Sequence, residues 1–145
     1  MKKFFTRIVL CAAAVLSFAA CSNPEEEKME IIAGEWHYTT TESGVQIDVY
    51  LGLYADYTFD LYQKIGDGAY RLYRGTWNIE EGILTGKYND GEPWAASYDA
   101  AVQDKTLTLT SKNDAAEVST YTACEIPEEV RTGCEVVVKS EEAGL

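Results

Sequence analysis

Histidine occurs once in 145 residues, at His37, and histidine is the usual general base near neutral pH. A histidine-dependent serine or cysteine triad would have to use His37, which alternation beside Trp36 places as an outward-facing strand residue. No Gly-x-Ser-x-Gly elbow, zinc-type histidine spacing or phosphate-cradling glycine loop occurs in the sequence. Basic residues are few: 12 Lys and Arg stand against 24 Asp and Glu, a net charge of −12. Such a surface repels phosphates, which excludes nucleic acid as a partner. Long apolar runs are missing too. The longest, Ile8 to Ala20, has 13 residues and is too short to cross a bilayer as a helix.

What is present begins with an address. Lys2, Lys3 and Arg7 precede the apolar run, and small residues follow it, the order that a secretory signal requires. The stretch Ser17-Phe18-Ala19-Ala20-Cys21-Ser22 resembles the lipobox of bacterial lipoproteins, with Phe18 where that pattern prefers leucine. Cys11 is a poor rival, because Leu10 is too large for the residue before the cut. The resemblance implies removal of residues 1–20 by signal peptidase II and acyl chains, such as palmitate, on the sulfur and amine of Cys21. Membrane attachment then comes from lipid, at about 0.8 kcal/mol per buried methylene. Cleavage leaves 125 residues, enough for one domain with one core. Their net charge is near −15, since Lys2, Lys3 and Arg7 leave with the signal.

Residues 21–30 read as a solvated tether, in which Pro24 and Glu25-Glu26-Glu27 oppose packing. Acidic residues close behind the lipidated cysteine resemble the surface-export signal of Bacteroidetes lipoproteins. The resemblance implies the outer membrane, with periplasmic face and cell surface both open. Met29 to Ala33 is expected to form a short helical turn that plugs or flanks the domain.

From Gly34 onward, alternation replaces helical periodicity. Val45, Ile47, Val49 and Leu51 alternate with Gln46, Asp48 and Tyr50, and Tyr57, Phe59 and Leu61 with Thr58, Asp60 and Tyr62. Turn residues punctuate these runs at Glu42-Ser43-Gly44, Gly66-Asp67-Gly68, Glu80-Glu81-Gly82, Asn89-Asp90-Gly91 and Lys112-Asn113-Asp114. Strands are predicted near 34–41, 45–53, 56–64, 69–79, 83–88, 94–101, 105–111 and 117–124. Within the C-terminal segment 127–145, residues 134–139 form a ninth that closes or flanks the sheet. Eight sequential strands on short turns describe an all-β, antiparallel up-and-down barrel, since closure removes unpaired edges.

Gly34-Glu35-Trp36 and Gly75-Thr76-Trp77 repeat one pattern, in which glycine permits a close crossing and tryptophan caps the core. Gly-x-Trp opening the first strand resembles the lipocalins. A second copy in mid-chain, after Asp56-Tyr57-Thr58-Phe59, is similar to the shorter lipocalin-like lipoprotein domains of Bacteroidetes. The resemblance covers residues 31–126. At the C-terminus the sequence departs from it, with no helix legible there like the one beside a full lipocalin barrel. What it implies is a non-catalytic, lipid-anchored barrel that binds a small, partly apolar ligand. Together with aromatic content it makes Trp36, Tyr54, Phe59, Trp77, Tyr88, Trp94 and Tyr98 the candidate lining. The alternative is an accessory or inhibitor module that binds a protein through outward-facing Tyr50, Tyr62 and Tyr70, with Tyr57, Tyr73 and Trp77 on the apolar face.

Carboxylates are numerous, but Glu80, Glu81, Asp90 and Glu92 fall in turns, and Asn89-Asp90-Gly91-Glu92 lacks the spacing of a calcium loop. No cofactor or metal is expected. Cys124 and Cys134 are separated by a segment that can turn back, and an exported pair is readily oxidised. A Cys124–Cys134 disulfide fastening the last segment to the final strand is therefore expected, worth roughly 3 kcal/mol.

Overall fold

The computed structural model describes residues 29–137. The signal segment expected at 1–20, the lipidation expected at Cys21 and the expected tether up to residue 28 lie outside the described residues. Eight strands run in chain order: β1 (Gly34–Glu42), β2 (Val45–Leu53), β3 (Thr58–Ile65), β4 (Arg71–Glu80), β5 (Ile83–Tyr88), β6 (Tyr98–Gln103), β7 (Thr106–Ser111) and β8 (Val118–Ala123). Each pairs antiparallel with the next, and β1 pairs antiparallel with β8, so the meander closes into an up-and-down barrel. A helix, α1 (Glu128–Gly133), and a two-residue strand, β9 (Glu135–Val136), follow outside the ring. β9 runs parallel to the start of β4, pairing Arg71 with Glu135 and Leu72 with Val136.

Three hairpins turn on two residues, Ser43-Gly44, Glu81-Gly82 and Asp104-Lys105, all with positive φ. That geometry matches the right-handed twist of the flanking strands. β6 begins at Tyr98 rather than near 94, because the chain leaves the ladder to turn Trp94 inward. Gly86 permits this, since a Cβ there would lie 2.2 Å from the Trp94 ring. Gly75 is held more tightly still. Its Cβ would meet the Lys87 carbonyl oxygen at 1.9 Å.

Inward residues fill one half of the barrel with rings. Phe59 packs edge-on against Tyr88 and Trp94, with centroids 5.8 and 5.1 Å apart. Residues 29–32 form the expected helical turn and seat Ile32 under the barrel, in the same cluster as Trp36 and Trp77. Both Gly-x-Trp indoles donate to backbone at this closed end, Trp36 to the Ile32 carbonyl at 3.0 Å and Trp77 to the Tyr54 carbonyl at 3.1 Å. Trp94 differs: its Nε1 is buried without a hydrogen-bond partner.

A second, smaller cluster lies on the outer wall, where Tyr62 and Leu72 are buried beneath Ile126 and Val130. Here the structure corrects three sequence expectations. The C-terminal segment does contain a helix, α1, although six residues are too few to declare a period. Tyr62 is not an exposed outward tyrosine, because that helix covers it. The Cys124–Cys134 disulfide is absent, since both thiols are free and not at bonding distance. The intervening α1 spans about 9 Å along its axis, whereas bridged Cα atoms sit about 5.5–6 Å apart. Cys124 is exposed beside the Glu125 carbonyl, while Cys134 tucks into the outer cluster with its thiol toward the Arg131 carbonyl. Tyr57 also departs from the apolar face, lying at a turn with φ of 65° and setting its ring at a tilt against Trp77, with centroids 5.3 Å apart.

Candidate functional site

The end of the barrel opposite Ile32 is open. A cavity of about 510 Å³ enters it between β1, β2, β3 and β8. Alternation builds its wall. Tyr38 and Thr40 continue the inward row begun by Trp36, and they face Val49 and Ile47 across the β1–β2 ladder. Leu61 and Gln63 on β3 and Leu109 on β7 complete the floor and far side. Ser119 and Tyr121 on β8 supply hydroxyls, with Tyr121 buried and its ring 5.2 Å from that of Tyr38. Burial, then the neighbouring phenols of Tyr98, Tyr38 and Tyr88, keep the Tyr121 hydroxyl protonated well above its ordinary range. Tyr98 is shifted the same way, by burial first and the Glu117 carboxylate second.

Among the described residues, Glu42 and Glu117 are the charged members of the lining, which includes no Lys, Arg or His. At the rim, Val45, Ile65 and Val118 are exposed apolar side chains. A smaller cavity of about 340 Å³ shares Gln63 and extends toward Arg71, Tyr73 and Glu135. The site thus offers an apolar floor, several hydroxyls, aromatic faces and a negative rim. Pockets of about 300–1,000 Å³ with that mixture are typical of small-molecule sites.

Of the seven residues named from sequence, Tyr98 lines this cup. Trp36, Phe59, Trp77, Tyr88 and Trp94 pack into the closed half as core. Tyr54 lies in the β2–β3 turn, where its hydroxyl donates to Glu35 at 3.1 Å, and burial leads the effects that push its pKa up to about 12. Sequence reasoning missed Tyr38, Thr40, Gln63, Ser119 and Tyr121. The alternating rows contained them, but alternation alone does not say which end of a barrel is plugged.

Two polar groupings stand on the outer wall. His37 Nε2 lies 2.6 Å from Asp48 Oδ1 and its ring stacks on Tyr50 at 4.4 Å, while the Tyr70 hydroxyl donates to Asp48 Oδ2. Lower down, Glu35 accepts hydrogen bonds from Arg131, from the Ile126 backbone N–H and from Tyr54. Among the described residues no group of three His, Cys, Asp or Glu side chains is placed to hold a metal ion. No family model matches the chain, and neither does any curated protein.

Proposed function

We propose that this chain is a non-catalytic lipoprotein of the lipocalin-like Bacteroidetes type, anchored through Cys21 to the outer membrane, whose barrel mouth binds a small, partly apolar molecule. The 510 Å³ cup is the observation that carries the reading. Its floor of Ile47, Val49, Leu61 and Leu109 suits an apolar body, and its hydroxyls and Gln63 suit a polar group on that body. Exposed Val45, Ile65 and Val118 give such a molecule an apolar threshold. The described chain enters the barrel at the closed end, through Ile32, on the side away from the mouth.

The alternative, a protein-binding outer face, keeps the half-buried Tyr50 and Tyr70 but not Tyr62, which the chain's own C-terminal segment occupies. Native mass spectrometry of the protein purified gently from its own host separates the two. A reproducible mass released on denaturation, and lost in Ser119→Trp, is expected. A chain carrying only its covalent lipid would overturn the cup reading and shift weight to the outer face.

A further inference from the structure

We infer that the cup selects an organic cation, an amine or quaternary-ammonium head on an apolar body, over an anion of the same shape. The inference rests on the cup being a ligand site and names the class of ligand it takes. Its first ground is the charge of the lining, which among the described residues has two carboxylates, Glu42 and Glu117, and no basic side chain. An entering carboxylate would lose water beside two like charges and find no cation to pair with, the costly way to bury an ion. Arg71 does not rescue it. That residue borders the adjoining cavity beyond Gln63, adjoins Glu135 in the β4–β9 pairing, and is already engaged. Lys112, in the loop before Glu117, pairs with Asp99 at 3.3 Å.

The second ground is aromatic. Tyr38, Tyr98 and Tyr121 surround the same space, and phenol rings offer their negative faces to an ammonium group. The field of Glu117 reaches this wall, since it adds to burial in holding the Tyr98 phenol protonated. The third ground is reach. The whole chain carries a net charge of −12, so the long-range field concentrates cations and disperses anions before contact.

The test compares octylammonium, octanoate and 1-octanol, probes of one chain length, titrated calorimetrically into the full chain below their micellar concentrations. Octylammonium is expected to bind about tenfold more tightly than octanoate, with 1-octanol between them. In the Glu42→Gln/Glu117→Gln protein that ratio falls to near one. Glu80→Gln/Glu81→Gln removes the same net charge from the closed end and is expected to keep the ratio. Octanoate binding as tightly as octylammonium, or a ratio that survives the mouth substitutions, or one that falls equally with the closed-end pair, overturns the inference but leaves the cup. If none of the three probes binds, the cup reading itself fails, and the cation preference with it.

Discussion

Glu35 and Arg131, 96 residues apart in sequence, meet in an ion pair that pins the C-terminal segment to the first strand. The carboxylate also accepts from the Ile126 N–H at 3.2 Å and the Tyr54 hydroxyl at 3.1 Å, so one side chain ties β1, the β2–β3 turn and α1 together. The apolar contact beside it, Val130 and Ile126 on Tyr62 and Leu72, excludes water from one side of the knot. Latch and patch hold the same strap.

Glu35→Gln is expected to destabilise the fold by about 1–3 kcal/mol, because Arg131 then loses the charge that it was placed to meet. The pH dependence has a definite sign. Burial raises the Glu35 pKa, but the bonds from Arg131, Ile126 and Tyr54 together outweigh it and hold the value below the ordinary 4.5. The unfolded chain therefore takes up this proton at a higher pH than the folded one. The stabilisation is complete above 4.5 and is lost as the pH falls through the lower, folded value. Urea unfolding of the parent should weaken over that window more steeply than that of Glu35→Gln. Parallel curves would show that Glu35 titrates alike in both states.

Free thiols at Cys124 and Cys134 give a second expectation. Both cysteines of the folded domain should accept a maleimide without prior reduction, Cys124 promptly and Cys134 at least about tenfold more slowly, since its modification waits on local opening of the strap. Arg131→Met should narrow the gap by loosening α1. Mass spectrometry that finds the pair bridged and unreactive would contradict the arrangement.

The ring of strands was legible because each strand is half-buried, and Trp36, Tyr38 and Thr40 or Val45, Ile47 and Val49 announce a face by alternation alone. The strap was not. Its helix is shorter than two turns, and its contacts are with residues over fifty positions earlier. A signal did exist in Leu61-Tyr62 and Leu72-Tyr73, adjacent apolar residues that no strand wet on one side requires. Such pairs imply that something covers the outer wall. The site was lost for a different reason. Aromatic content groups seven rings as one lining, yet depth separates them, and depth depends on the inward turn of Trp94 over Gly86.

That turn makes Gly86 and Gly75 unequal positions. In Gly75→Ala the new methyl meets the Lys87 carbonyl oxygen at 1.9 Å across a ladder that cannot move alone, and a loss of about 3 kcal/mol or more is expected. In Gly86→Ala the methyl meets a side chain, the Trp94 ring, which can leave. Gly86→Ala should therefore fold while shifting tryptophan emission to the red, as one indole becomes wet. Unshifted emission in a folded Gly86→Ala protein would place Trp94 elsewhere.

Three buried indoles differ in one respect, whether the ring N–H is satisfied. Trp77 donates to the Tyr54 carbonyl, whereas Trp94 donates to nothing. Replacing either by Phe removes a similar apolar volume, so the comparison isolates the donor. In Trp77→Phe the Tyr54 carbonyl loses the indole donor and keeps only the Tyr57 N–H, while in Trp94→Phe an unsatisfied donor disappears. Trp77→Phe should therefore cost about 1–3 kcal/mol more than Trp94→Phe. Denaturant midpoints with unchanged slopes would measure the difference cleanly. Equal losses would mean that the Trp94 N–H has a partner in solution, such as a buried water, and that its removal forfeits a bond after all.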